Sequence, residues 1–515
     1  MTGGGRSTAR RSWVWTDCEQ SQAAGSQDEG AGVSLLQSMR GSSRLGITVA
    51  AAAATVGVLY GYDTSNIGAA LDFITKDFHL NPIQQGSVTG FVIVGEIVGA
   101  LSGGWLANRF GRKTTMVGVA VAFSLFSLMS GLAWSVDSLA VARVLLGLSI
   151  GVAIVVAPMF LAESAAPDIR GAMLVLYQVA TVIGVILGYL LGMALAPTEN
   201  WRWMLGIAAI PGAIITVVIW RLPDTATWYL MKGRRDEAAH VLAQMNPGVD
   251  SAAELQTMSR EIAELTDGTP ATDRLKAMFR RPYVRATVFV IVLGFFVQIT
   301  GINAIVYYSP QIFKAMGVNP TDYTLQFGLS ALVQFASLIA VFISMSLVDR
   351  MGRRPILMTG IGIMVLANIL LIIVFRIGAG GVTNLSDVHL SSGWIALGFI
   401  GLVLFTMGFT FGFGAMVWVF AGESFPTHLR GMGASAMLTA DLVANWIVAQ
   451  LFPPLLNRAG GVGVFVIFGI LALLSLAFVA KYAPETTGRR LDAIRYYWEN
   501  GAKWPEETTP PTSHG

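Results

Sequence analysis

Asn108-Arg109-Phe110-Gly111-Arg112-Lys113 and Asp349-Arg350-Met351-Gly352-Arg353-Arg354 are one phrase written twice. Each copy separates two apolar runs of membrane-spanning length. A second phrase is also duplicated. Glu163-Ser164 is followed, seven residues after the Glu, by Arg170-Gly171, and Glu423-Ser424 is followed at the same spacing by Arg430-Gly431. The order of the two phrases is the same in each copy, with offsets of 241 and 260 residues. The difference fits a longer polar, Gly-rich connection at 377–391. A single copy reads equally well as a positive-inside anchor. Two phrases repeated in order indicate an internal duplication. Duplicated halves with a site between them are the architecture of an alternating-access transporter.

The rest of the chain supports that reading. Of 515 residues, 54% are hydrophobic and only 13% charged, about half the charged share of soluble domains. A soluble multidomain enzyme of this length would need far more polar surface. Disorder, a collagen-like repeat and a disulfide scaffold are also excluded. The lone cysteine, Cys18, and five scattered histidines suggest no metal site or cofactor. A net charge of +3 gives no reason to expect nucleic acid. What remains is an all-α polytopic protein of the lipid bilayer.

Twelve apolar runs serve as spans 1–12: 46–72, 87–107, 115–134, 138–162, 172–196, 202–222, 284–309, 324–348, 355–376, 392–420, 432–456 and 460–482. The expected organisation is a disordered cytosolic tail over 1–42, a six-helix bundle over 43–222 and a helical linker over 223–283. A second six-helix bundle over 284–482 and a tail over 483–515 complete it. Three short amphipathic helices are expected in the linker. Only five Lys/Arg fall on the side opposite the tails, against 28 on their side, with Arg143 inside a span. That bias puts both termini in the cytosol. The compact loops and short tails suit a bacterial inner membrane, and a monomer is expected.

The duplicated phrases carry gating chemistry. Glu163 and Glu423 stand where arginines of neighbouring loops can reach them: Arg109, Arg112 and Arg170 in one half, Arg350, Arg353 and Arg430 in the other. Such pairs would lock a cytosolic gate and break when the halves part.

Four ionisable residues lie well inside spans: Asp63, Glu96, Arg143 and Asp441. Each costs about 3 kcal/mol or more in hydrocarbon and is a functional candidate for that reason. Asp63 and Arg143 both fall in the outer half at 1.5 Å per residue. A fixed ion pair is one reading; the other is a proton switch in which protonation of Asp63 releases Arg143. Glu96 could be a second proton group, a hydrogen-bonded acid or a cavity-wall residue.

Further motifs resemble the sugar porter family of the major facilitator superfamily. They are Gly61-Tyr62-Asp63-Thr64, Arg143 with Gly147 and Gly151, Trp201-Arg202-Trp203, Gln298 with Gly301-Ile302-Asn303 and Tyr307-Tyr308, and Pro484-Glu485-Thr486-Thr487-Gly488-Arg489. The resemblance covers residues 57 to 494. It implies the major facilitator fold, with twelve helices in two six-helix pseudo-repeats, and uptake of a monosaccharide or polyol. An Asp at position 63, where family uniporters usually carry Asn, implies proton symport. The positions that match the family's sugar contacts are Gln178, Gln298, Asn303, Trp418 and Asn445, with Asp441 added beside them and Tyr307 as an outer gate. A lone amide in a span can also be a helix–helix hydrogen bond, and that reading stands beside the first for Gln178 and Asn445. Span 10 lacks the family's prolines, and Gly408, Gly412 and Gly414 are expected to supply the bend. Three alternatives remain: a facilitative uniporter, a nontransporting sugar sensor, and a carrier of a non-sugar solute or drug exchanged for protons. No nucleophile motif or phosphate loop supports an enzyme.

Overall fold

The computed structural model describes residues 44–164, 170–245, 251–265, 271–378, 390–489 and 491–504. The N-terminal tail with Cys18, most of the 377–391 connection, the end of the C-terminal tail and the Arg170 side chain lie outside that description. Regular structure among the described residues is helical, with no strand.

Among the described residues, ten helices are long and apolar enough to cross a membrane. The last of them, Leu429–Tyr482, runs 54 residues, more than twice what a 30 Å hydrocarbon layer needs. It turns at Gly460, where φ is 63° and ψ −177°, and so comprises two crossings. The 35-residue helix Arg44–Phe78 adds another. The total is consistent with the twelve expected spans.

Glycine determines how these helices meet. A Cβ on Gly61 would stand 1.9 Å from the Thr181 carbonyl oxygen, which fixes span 1 against span 5. One on Gly147 would stand 1.8 Å from the Val92 carbonyl, which fixes span 4 against span 2. The second half repeats the scheme. Gly294 of span 7 meets the Met437 carbonyl of span 11 at 2.5 Å by the same measure, so 7 with 11 mirrors 1 with 5. Apolar side chains give no preference for helix over lipid, so close backbone approach is what holds such bundles together.

Span 10 is interrupted where a bend is expected. Residues Thr410–Gly414 form a π-helical turn between Ser392–Phe409 and Ala415–Glu423, with Gly412 packed on Gly360 of span 9. The linker departs from expectation. It contains four helices, Ala226–Met231, Arg235–Met245, Ser251–Leu265 and Ala271–Met278. The first expected helix is cut because Gly233 turns the chain at φ 74°, a backbone region glycine enters without a steric penalty.

The two halves meet at the charge-poor end of the bundle. Gly68 of span 1 lies under the Tyr307 carbonyl of span 7, where a Cβ would come within 2.1 Å. Gly86 meets Gln450 in the same way at 2.3 Å. The Gln450 amide donates to the Ile83 carbonyl at 3.2 Å and to Ser87 Oγ at 3.1 Å. Lys314 Nζ lies 3.6 Å from Asp72. Phe73 packs on Tyr323 with centroids 4.8 Å apart.

Candidate transport site and gates

Span 1 is pinned before its acid is placed. Tyr62 donates its hydroxyl to the Met204 carbonyl at 2.8 Å, and the Asn66 amide donates to the same oxygen at 2.6 Å. Asp63, between these two anchors, accepts from Arg143 Nη1 at 2.6 Å. The guanidinium is 0% exposed and the carboxylate 8%. The two charges that sequence reading placed at one depth are therefore in contact. The pair is incomplete, since Arg143 Nε and Nη2 are buried with no partner.

Span 7 is broken at the centre. Helix Val284–Ile299 stops at Thr300, Gly301 takes φ 103°, and helix Ile302–Ala315 begins. The break separates Gln298 from Asn303. Gln298 Nε2 donates to Asp441 Oδ2 of span 11 at 3.2 Å, while its Oε1 is buried without a partner. Asn445, one turn further along span 11, donates from Nδ2 to the Tyr307 hydroxyl at 3.1 Å. Asn303 is buried. Gln178 is half-buried and Trp418 is 51% exposed. The structure thus brings Gln298 to Asp441 and Asn445 to Tyr307. Among the described residues, the Gln178 and Asn303 side chains bond to no other side chain.

Two tyrosines tie this region together, Tyr189, which sequence reading did not single out, and Tyr308, which it noted only within a motif. Pro310 lacks the N–H that would bond the Val306 carbonyl four residues back, and Tyr189 of span 5 donates to that carbonyl instead. Pro453 likewise leaves the Ala449 carbonyl free, and Tyr308 donates to it at 2.6 Å. The prolines alone could have signalled two orphan carbonyls. Only the fold shows which hydroxyls meet them.

At the charge-rich end, Arg112 Nη2 and Nε reach Glu163 at 2.9–3.2 Å, and Thr225 Oγ1 donates to the same carboxylate at 2.6 Å. Arg353 Nη2 reaches Glu423 at 3.2 Å. Each pair lies within one half of the molecule, and both are formed while the halves are tied at the opposite end. Arg109 and Arg350 are exposed, and the Arg430 Nε is buried without a partner.

Behind each arginine stands an acid: Glu485 belongs to the Pro484–Arg489 motif, and Asp224 to Pro223-Asp224-Thr225-Ala226-Thr227-Trp228, a degraded form of another motif of the family. Asp224 Oδ1 accepts the Arg112 N–H at 3.0 Å. Glu485 accepts the N–H groups of Arg353 and Arg354 at 3.2 and 3.1 Å. Both cap the start of a span, where unpaired N–H groups and the helix dipole favour a carboxylate. The phrases Pro223-Asp224-Thr225 and Pro484-Glu485-Thr486, 261 residues apart, are thus a third element of the duplication. Burial pushes the Asp224 carboxyl above its ordinary range, against the pull of the N–H groups of Thr225, Lys113 and Arg112. Burial also acts on Glu485, but the hydrogen bonds from Thr487, Arg354 and Arg353 outweigh it and hold its carboxyl below the ordinary range.

Two six-helix halves, tied at one end and lined with buried polar groups at the centre, define an integral membrane transporter of the major facilitator class. The family model described as "Sugar (and other) transporter" matches residues 49–498, and the chain belongs to that family. It is 33% identical over 465 residues to the arabinose-proton symporter of Escherichia coli, covering 89% of this chain and 94% of the relative. It is also 33% identical over 457 residues to the galactose-proton symporter of that organism, covering 88% and 94%. Among solved structures, the inward-open conformation of the xylose transporter XylE from E. coli aligns with a TM-score of 0.74 at 22% identity. That alignment covers 88% of this chain and all of the other.

Proposed function

We propose that this chain imports a monosaccharide or polyol together with a proton, by alternating access, as a monomer in a bacterial inner membrane with both termini cytosolic. The observation that carries the reading is the fully buried Asp63–Arg143 pair. An ion pair in a span is costly to keep and gives a protonation event something to break. The arabinose- and galactose-proton symporters among its relatives support sugar and proton as the two cargoes. The charge-rich end is the cytosolic one on this reading, so the structure is closed to the outside.

Gln298, Asn303, Asn445, Gln178, Trp418 and Asp441 line the pocket. Amides donate and accept at once, which suits a ring of hydroxyls, and Trp418 offers a flat apolar face. Asn445 and Tyr307 hold the pocket's outer wall in this state. The pairs Arg112–Glu163 and Arg353–Glu423 brace the cytosolic loops of each half. Arg109, Arg170, Arg350 and Arg430 belong to the same loops and engage when the halves close on that side.

The test is uptake of labelled arabinose, galactose, xylose and glucose into proteoliposomes under an imposed pH gradient. Accumulation that an uncoupler collapses is the expected result. Asp63→Asn should abolish accumulation and leave exchange intact. Accumulation that survives this change would overturn the coupling role. Uncoupler-insensitive equilibration would point to a uniporter, and binding without flux to a sensor. Gln298→Ala and Asn303→Ala should each raise the half-saturation concentration about tenfold, the worth of one good hydrogen bond. Unchanged kinetics in both would place the pocket elsewhere.

A further inference from the structure

Glu96 has no part in the reading so far, although it sits at mid-span 2 and is only 2% exposed. Its Oε2 is buried with no hydrogen-bond partner. Arg143 has the complementary defect, two buried guanidinium nitrogens with no acceptor. The two residues are carried by closely apposed helices. A Cβ on Gly151 of span 4 would meet the Glu96 carbonyl at 2.1 Å, and one on Gly95 the Val144 carbonyl at 2.0 Å. Both helices run from the charge-poor to the charge-rich end. Side chains lean toward a helix N-terminus, so the Glu96 carboxyl rises from the level of Gly151 toward that of Arg143.

Six polar groups lie within electrostatic reach of Glu96. They are Asp63 and Tyr60 of span 1, Arg143 of span 4 and Tyr177 of span 5, with Tyr307 of span 7 and Asp441 of span 11. Arg143 is the one cation in this set of three acids, and it is engaged with Asp63. A second carboxylate left ionised and unpaired here would be held against both desolvation and two like charges. A carboxyl group that carries its own proton escapes both penalties.

We propose that Glu96 is the second carboxyl of the coupling site, and that it takes the proton Asp63 gives up while Arg143 moves the opposite way. This rests on the proton-symport reading above. With the outside open, Asp63 is protonated and Arg143 pairs with the Glu96 carboxylate. As the outer end closes, the O–H bond on Asp63 breaks and one forms on Glu96. The guanidinium passes from Glu96 to Asp63, giving the arrangement seen here. One proton and one positive charge change places, nothing is oxidised or reduced, and the proton lies deeper in the bundle, from where it leaves to the cytosolic side.

Infrared difference spectra of the purified full-length protein, wild type against Glu96→Gln at neutral pH, test the proton directly and need no substrate. A protonated-carboxyl band that disappears in the variant is expected, and identical spectra in that region overturn the proposal. Transport adds a second arm, with arabinose, galactose and xylose as probes. Glu96→Gln should lower pH-driven accumulation about tenfold, the scale of losing a positioned proton carrier, and leave exchange within about twofold. Glu96→Asp, which keeps a carboxyl, should recover accumulation. Wild-type accumulation by Glu96→Gln, or loss of exchange in both variants, would assign Glu96 to packing alone. If the wild type itself shows no proton-driven uptake, the symport reading fails, and the infrared arm still decides whether Glu96 holds a proton.

Discussion

A single carboxylate at position 485 does work that its motif does not announce. Glu485 closes the N-terminus of span 9 by accepting two backbone N–H groups, as Asp224 accepts that of Arg112 at the start of span 3. Gly111 and Gly352 make room for this, with φ of 102° and 91°; a Cβ at 111 would stand 2.1 Å from Asp224 Oδ2 and one at 352 would stand 3.1 Å from Glu485 Oε2. Replacing Glu485 by Gln removes one acceptor and should cost about 1 kcal/mol at neutral pH, the usual worth of a cap. The sign of its pH dependence follows from the lowered carboxyl. The contribution is complete above the ordinary glutamate value and fades as pH falls through the lower folded one. Thermal unfolding of wild type and Glu485→Gln in detergent should therefore differ at pH 7 and converge on acidification. A gap that stays constant with pH would mean that the charge is not what matters. Asp224 has the opposite sign: its raised carboxyl makes acidification through the carboxylate range relieve a penalty. The sequence shows both acids within recognisable phrases but not what they bind, because Arg353 is 132 residues from Glu485. Asp63 and Arg143 were easier to read. Charges in spans are so few that their pairing has little competition, whereas the contact of Gln298 with Asp441 depends on the rotation of two helices about their axes.

At the scale of the helix, span 7 shows how local chemistry produces a pocket. Gly301 permits the break, and its missing Cβ leaves 2.7 Å to the Phe468 ring. Pro310 and Pro453 then each release a carbonyl, and Tyr189 and Tyr308 each supply the missing donor. The second of these pairings can be isolated. Tyr308→Phe should destabilise the protein by about 1 kcal/mol, because the buried Ala449 carbonyl loses the hydroxyl that Tyr308 donates to it. Pro453→Ala restores the backbone N–H to the same carbonyl. In that background the cost of Tyr308→Phe should shrink, a coupling that a double-mutant cycle on thermal stability measures. Full additivity would show that the hydroxyl does not stand in for the lost N–H. Hydropathy located span 7 and the prolines marked its irregularity. The donors could not be located from sequence, since a tyrosine in a span is as compatible with lipid as with a buried carbonyl.

The duplication legible in two loop phrases extends to the whole molecule, in which spans 1 with 5 and 7 with 11 are packed by the same glycine device. What the duplication could not specify is which end is closed, because both conformations of such a carrier use the same sequence. The structure closes the charge-poor end with Gly68 on Tyr307, Gly86 on Gln450 and Asp72 beside Lys314. These contacts require side chains no larger than hydrogen at 68 and 86. Gly68→Trp cannot seat against the Tyr307 backbone and should exclude this conformation, since a clash with a main chain is not relieved by choosing another rotamer. The variant should still bind solute from the charge-poor side and should fail to carry it across. Ser309 is fully buried beside the Tyr307 contact, so a cysteine placed there, with Cys18 replaced by serine, reports opening. A membrane-impermeant thiol reagent should label it several-fold faster in the Gly68→Trp background than without it, because the population shifts wholly to the form open at that end. Equal labelling rates would show that the contact between spans 1 and 7 is not what closes the molecule.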